Sequence, residues 1–251
     1  MEASNRIEHF ILDVSIGGSA VEQRPSCFTL ITDDGFPSVE ARLQYPQNSE
    51  IGNPGDQVVV NLSIGNEKHL LFTGEIYKAA ICGACRDLIL TDGFKKLCDT
   101  LIAAAYRKET AKVILQDALD SAEIDKTSVT CPSVEIARFS TEKIPADMIV
   151  KLLIKALEEH GHAGLRFFFD AENKFHFGTA GDTGKNEGKA FEFATGENIL
   201  KKGDGRIDVL PLPIRHSQKV IVDGEGRMPS RTELRLSGQR SRLTIWFKES
   251  A

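Results

Sequence analysis

Residues 57–91 alternate in hydropathy with a period of two, and at Asp92-Gly93 that period gives way to 3.6. In Gln57–Ile64, Val58, Val60, Leu62 and Ile64 share one face, while Val59, Asn61 and Ser63 share the other. This is the pattern of a strand with one buried side. Residues 70–80 continue it, with Leu70, Phe72, Gly74 and Ile76 on one face. A glycine inside a strand predicts a bulge, a bend or a close backbone approach. Arg86–Thr91 is a further strand. Beyond Gly93, the residues Phe94, Leu97, Cys98, Leu101, Ile102 and Ala105 follow helical spacing, predicting a helix over 94–105. A second helix is predicted from Thr110, a suitable N-cap, with Ala111, Ile114, Leu115, Ala118, Leu119 and Ala122 on its apolar face.

Upstream, residues 9–16, 26–32 and 39–45 read as strands, with Asp33-Asp34-Gly35 as a turn. Six short strands on hairpin-length links suggest an antiparallel barrel or sandwich. Downstream, a short strand is expected near 134–139. A third helix begins at Pro145, lined by Ile149, Leu152, Leu153, Ala156, Leu157 and His160 and stopped by Gly161. Residues 165–178 read as a hairpin turning at Asp170–Asn173, with Phe167, Phe169, Phe175 and Phe177 as cross-strand core pairs. Residues 178–190 form a glycine-rich loop or linker. Further strands are expected at 191–193, 207–210, 218–223, 232–236 and 242–247, with a loop over 223–230.

The expected class is therefore α+β, mainly β. Two small antiparallel barrel-like modules are separated by helices and a small α/β insert. The first module spans 1–93, helices packed on it span 94–124, the insert and linker span 125–190, and the second module spans 191–251.

Net charge is −5, which does not suggest a nucleic-acid binder. The charge is uneven: residues 201–251 hold 11 Lys/Arg against 6 Asp/Glu, a net of +5, leaving −10 on the rest. This is either a solvated face or a contact with a neighbouring subunit. Five cysteines, an odd number in a chain of 251 residues, fit a reducing compartment. The start, MEASNRIEHFILDV, lacks the n- and h-regions of a signal peptide. Synthesis in the cytoplasm is expected, without excluding later release in a particle.

Catalytic signatures are absent. Cys82-Gly83-Ala84-Cys85 is a CxxC without the second knuckle of a zinc site. It also lacks the helix N-terminus of a redox motif. Cys98 falls on an apolar helix face and Cys131 stands alone, so the motif reads as a turn with incidental cysteines. His160 and His162 are expected at a helix C-terminus, where a partly charged imidazole is favourable. His176 is expected to point outward from the hairpin. There is no G-x-S-x-G, no H-E-x-x-H and no phosphate-loop context for the glycine clusters. No catalytic, cofactor-binding or metal-ligating residue is assigned.

The order of elements from Gly55 to Ala122 resembles the first barrel of phage tail hub proteins of the late control gene D family. It is also similar to the related hub part of type VI secretion spike proteins. The matching features are the Gly55-Asp56 turn before Val58-Val59-Val60, the strand Phe72-x-Gly74-x-Ile76, and the Arg86–Thr91 strand. The Leu97/Leu101 helix, Tyr106-Arg107 and the Thr110–Leu119 helix complete them. Pro145–Gly178 is similar to the insert of such hubs, and the stretch from Leu210-Pro211-Leu212-Pro213 onward resembles their second barrel. The chain is shorter than such hubs and lacks the glycine- and valine-repeat needle of type VI spikes. The resemblance implies a homotrimer whose barrels form a ring between a six-fold tail tube and a three-fold spike, the spike being a separate protein. Val59, Leu71, Tyr77 and Ile89, opposite the core face, are the candidate inter-barrel contacts. The alternatives are a tail-associated cell-wall or glycan-binding module and a peptidoglycan hydrolase.

Overall fold

The computed structural model describes residues 10–183, 190–238 and 240–248. The first part of the chain supplies β1 (Phe10–Ile16), β2 (Ser19–Ala20), β3 (Cys27–Asp33), β4 (Phe36–Pro46), β5 (Gln57–Ile64), β6 (Glu67–Cys82) and β7 (Cys85–Thr91). In β5 the period of two is realised directly: Val58, Val60 and Leu62 are fully buried. The long β6 bulges twice against its neighbours. Opposite Val60 and Asn61 it pairs Phe72 and Leu70, leaving Leu71 as the extra residue. Opposite Leu90 and Ile89 it pairs Ile76 and Lys78, leaving Tyr77 extra. Each bulge reverses the alternation locally and re-aims the side chains that follow. Gly74 lies between them, where the chain closes on β7. A Cβ built there would lie 2.2 Å from the Thr91 carbonyl oxygen, so the close approach needs glycine.

Next come α1 (Phe94–Asp99), β8 (Leu101–Thr110), α2 (Ala111–Ser121), β9 (Thr127–Val129), β10 (Glu135–Pro145), α3 (Ala146–Glu159), β11 (Arg166–Phe169), β12 (Phe175–Gly178) and α4 (Ala180–Thr183). The helix expected over 94–105 stops at Asp99, and Leu101, Ile102 and Ala105 belong to a strand. The same residues also satisfy a period of two, with Ile102, Ala104 and Tyr106 turned inward and Leu101, Ala103 and Ala105 exposed. The arrival of β10 decides between the two periods, because it pairs Tyr106 with Phe139 and Ala104 with Thr141. Thr110 does cap α2, its hydroxyl accepting from the Val113 N–H at 3.4 Å. Val150, an apolar residue beside the expected stripe of α3, is fully buried, whereas Leu152 and His160 of that stripe are exposed. Pro145 is its N-cap, and Gly161, at φ 88, follows its C-cap. The phenylalanine pairs form as expected, Phe167 with Phe177 and Phe169 with Phe175.

The last part holds β13 (Phe191–Phe193), β14 (Ile199–Gly203), β15 (Arg206–Val209), β16 (Val220–Val222), β17 (Glu225–Arg227), β18 (Pro229–Ser237) and β19 (Arg242–Phe247). Part of the loop expected over 223–230 is strand. Asp223 at φ 50 and Gly224 at φ 83 make the two-residue turn that joins β16 to β17. The segment 184–189 of the expected linker lies outside the described residues.

The mainly-β α+β class expected from the sequence is the class of the structure. Its two β-rich stretches share one 11-stranded sheet, ordered β14-β15-β19-β18-β3-β4-β7-β6-β5-β1-β2. The join is β18 on β3, which sets Leu234 opposite Leu30. One core runs beneath both stretches, from Phe28, Leu43 and Val60 to Val209, Val220 and Ile245. A second core holds Leu97, Ile114, Leu119, Ile149, Leu153, Phe169 and Phe175. The helix α2 therefore packs on α3 and β8, within the second core, and not on the sheet of the first module.

Candidate interaction surface

Two features stand out. The first is the outer face of β4, β7 and β6. Phe36, Tyr77 and Ile89 are 52%, 54% and 40% exposed, a grouping of large apolar side chains on one side of a sheet. Between this face and α1 runs a groove of about 750 Å³, lined by Ile31, Phe36, Tyr77, Ile89, Phe94 and Cys98 among others. The second bulge of β6 throws Tyr77 outward, and the Lys95 ammonium lies over its ring, 5.2 Å from the centroid. The rings of Phe36 and Phe94 meet at 6.3 Å. Of the four candidate contact residues, Tyr77 and Ile89 are exposed here and Val59 is half-buried on β5. Leu71 is not on this face. The first bulge turns it inward, and it is 2% exposed within the core.

The second feature is the junction between the two cores, around a cavity of about 390 Å³. It is bounded by the tip of the β11–β12 hairpin, by Leu30, Leu70 and Leu71, and by residues 212–218. Arg215 points its guanidinium inward and donates to the carbonyls of Leu71 at 2.8 Å and Phe169 at 3.2 Å. Burial pushes its pKa down to about 10, while Asp170 and Asp92 work to keep it charged. Asp92 is buried and accepts from the N–H groups of Val39 at 2.9 Å and Phe94 at 3.0 Å. Burial nonetheless raises its carboxyl to about 6.

His216 is also buried, and among the described residues neither of its ring nitrogens has a hydrogen-bond partner. Its ring meets Phe168 edge-on at 4.9 Å. Burial, with Arg215 and Arg166 nearby, depresses its pKa to about 3. His176, expected to point outward, instead stacks on Phe168 at 5.1 Å and bonds to Asp170 at 2.8 Å. Burial opposes ionisation of Asp170. Bonds from His176 and the Lys174 N–H, with Arg215 nearby, still hold its carboxyl below the usual range.

A histidine beside a carboxylate is the base-and-orienter half of a nucleophilic site. Beside them, the buried Ser217 hydroxyl has no hydrogen-bond partner among the described residues, so neither histidine is bonded to it. The arrangement holds two cores together. Asp92, Arg215 and His216 were not singled out from the sequence. Two adjacent basic residue types just after Pro211-Leu212-Pro213 are the one local sign of Arg215 and His216.

The remaining candidates are dispersed. Cys82 and Cys85 flank the β6–β7 turn, and burial raises the thiol pKa of Cys98 and Cys131. His160 and His162 are exposed past the end of α3. Among the described residues, no group of three or more His, Cys, Asp or Glu is placed to hold a metal ion. No helix among them is long and apolar enough to cross a membrane.

No protein-family model matches the sequence, and no curated protein sequence matches it. The architecture does have counterparts. The 43 kDa tail protein of prophage MuSo2 from Shewanella oneidensis is similar with a TM-score of 0.67 at 11% identity, over 96% of this chain and 98% of that one. The fold is that of phage tail proteins. A tail protein from Neisseria meningitidis MC58 has a TM-score of 0.66 at 10% identity, over 96% and 97% of the two chains. The tail-protein fold extends to secretion machinery. The E. coli c3393 protein, a type VI secretion component similar to the T4 tail proteins gp27 and gp5, has a TM-score of 0.63 at 13% identity, over 94% of this chain and 77% of that one. A chain of the Francisella PdpA-VgrG complex follows at 0.57 and 8% identity, with 96% of this chain covering 57% of that one.

Proposed function

We propose that this chain is a non-catalytic hub of a phage-like tail or contractile injection apparatus. Three copies form a ring that adapts a six-fold tail tube to a three-fold spike. Its partners are other copies of itself, a tail tube protein and a separate spike protein. It is made in the cytoplasm and incorporated into the tail-like particle. The observation that carries this reading is the nearly end-to-end likeness of fold to two phage tail proteins, 96% of this chain over 97–98% of theirs. The apolar outer face with Phe36, Tyr77 and Ile89 supports it, because a ring needs a surface for its neighbour. A subunit whose two β-rich stretches continue one sheet also suits a ring in which each copy contributes twice.

Light scattering on the purified chain, followed by negative-stain imaging, tests the proposal. Trimers that image as rings are expected, alone or after mixing with tube and spike proteins. A strict monomer at micromolar concentration in both conditions would overturn it.

A further inference from the structure

Cys82 and Cys85 are direct partners across the β6–β7 hairpin, on either side of the two-residue turn Gly83-Ala84. Gly83 takes φ 60, the left-handed first position that a type II′ turn requires. Residues facing one another across such a pair put their side chains on the same face, with Cα atoms about 5.5 Å apart when hydrogen-bonded. That separation lies within the window of roughly 4.4–6.8 Å spanned by disulfides. The pair lies on the face of the hairpin that carries Asp87 and Ile89. Cys82 is exposed and Cys85 is half-buried, so an external thiol or disulfide can reach the pair.

We propose that Cys82 and Cys85 form a reversible disulfide, a redox-sensitive latch at the tip of the β6–β7 hairpin. With glutathione disulfide as oxidant, the Cys82 thiolate attacks one glutathione sulfur. A mixed disulfide forms and one glutathione thiolate leaves. The Cys85 thiolate then attacks the Cys82 sulfur and displaces the second glutathione. The two cysteine protons end on the two released glutathione thiols, and glutathione disulfide takes up the electron pair. Closure leaves the nearby Asp87 carboxylate with Arg42 and Gln44 as its partners. An exposed bond of this kind belongs to the labile, readily reduced class. Cys82 also lines the groove beneath Tyr77 and Ile89, so the latch stiffens one end of that face. This inference does not depend on the assembly proposed above.

The test uses the full chain equilibrated in glutathione buffers from reducing to oxidising, quenched in acid, alkylated and mapped by mass spectrometry. In oxidising buffer, two of the five thiols should become protected together. The unalkylated mass should fall by about 2 Da. The bond should map to Cys82–Cys85 and open with dithiothreitol. In a Cys85→Ser variant, Cys82 should instead retain a glutathione. Alkylation of all five thiols of the unsubstituted chain in every buffer, or a bond from Cys82 to any other cysteine, would overturn the proposal.

Discussion

Arg215 donates from Nη2 to the carbonyl of Leu71 at 2.8 Å, a contact that bridges 144 residues of sequence. Through Nη1 the same guanidinium holds the carbonyl of Phe169, at the edge of the second core. One side chain therefore pins the β11–β12 hairpin to β6. Arg215→Met removes both bonds and the positive charge facing Asp92 and Asp170. It should cost about 2–4 kcal/mol in chemical denaturation, the range for breaking a buried charged contact from one side. Arg215→Lys should recover only part, since an ammonium cannot fork to two carbonyls. A loss below about 1 kcal/mol for the Met variant would show that the hairpin is held by its apolar contacts alone.

Acid should act on the junction through His216. Its folded pKa lies near 3, below the ordinary 6.5, so the unfolded chain takes up a proton that the fold refuses. The stability this represents is complete above about pH 6.5 and drains away as pH falls toward 3. Asp92 has the opposite sign. Its pKa is raised to about 6 from 3.8, so its contribution is present at low pH and lost as pH rises through 6. The stability of the unsubstituted chain minus that of His216→Phe should fall by about 1.4 kcal/mol per unit as pH drops from about 6 to 4. With Asp92→Asn as the variant, the same difference should rise. Urea titrations at a series of pH values measure both slopes, and a profile for His216→Phe parallel to the unsubstituted chain would contradict the assignment.

Gly74 lies so close to β7 that a methyl group meets the Thr91 carbonyl oxygen and the ring of Phe72, at 2.2 and 2.6 Å. The carbonyl belongs to the backbone of a paired strand and cannot step aside as a flexible side chain would. Gly74→Ala should destabilise the chain by about 1–3 kcal/mol, the usual cost of overpacking, or more. Gly65→Ala is the comparison, because no atom lies within 4 Å of a Cβ there and the penalty reduces to its φ of 59. Thermal melts of the two variants should rank Gly74→Ala below Gly65→Ala.

Alternation groups Leu71 with Ile89, yet the bulges of β6 part them. Leu71→Ala should cost about 2–5 kcal/mol, as a buried leucine does. Ile89→Asp sits on the exposed face and should leave the monomer's melting temperature nearly unchanged, while weakening self-association in sedimentation measurements. The same assembly loss is expected for Tyr77→Asp. Unaltered association in both would separate this face from the proposed ring contact.

Much of the β framework was legible because alternation is a local property. The strand expected over Gln57–Ile64 matches β5 to the residue, and the phenylalanines of β11 and β12 pair in the core as expected. The helix expected over 94–105 runs only to Asp99, because Leu101–Thr110 satisfies both periods and only pairing with β10 selects the strand. The bulges at Leu71 and Tyr77 left no trace in the alternation of β6 itself. They exist because β6 must match β5 and β7 at once. Asp223-Gly224 is a usable hairpin signal inside the loop expected over 223–230.

The sequence alone determined the mainly-β class, the capped start of α2, the absence of recognisable catalytic motifs and the tail-hub resemblance. Each of these follows from residue types and spacings within a few turns or strands. Tertiary structure decided that β3 and β18 join both β-rich stretches into one sheet, and that Leu71 turns inward while Tyr77 turns out. It also placed Asp92, Arg215 and His216 together between the two cores. Those choices depend on contacts across many tens of residues, where burial and strand register settle what local periodicity leaves open.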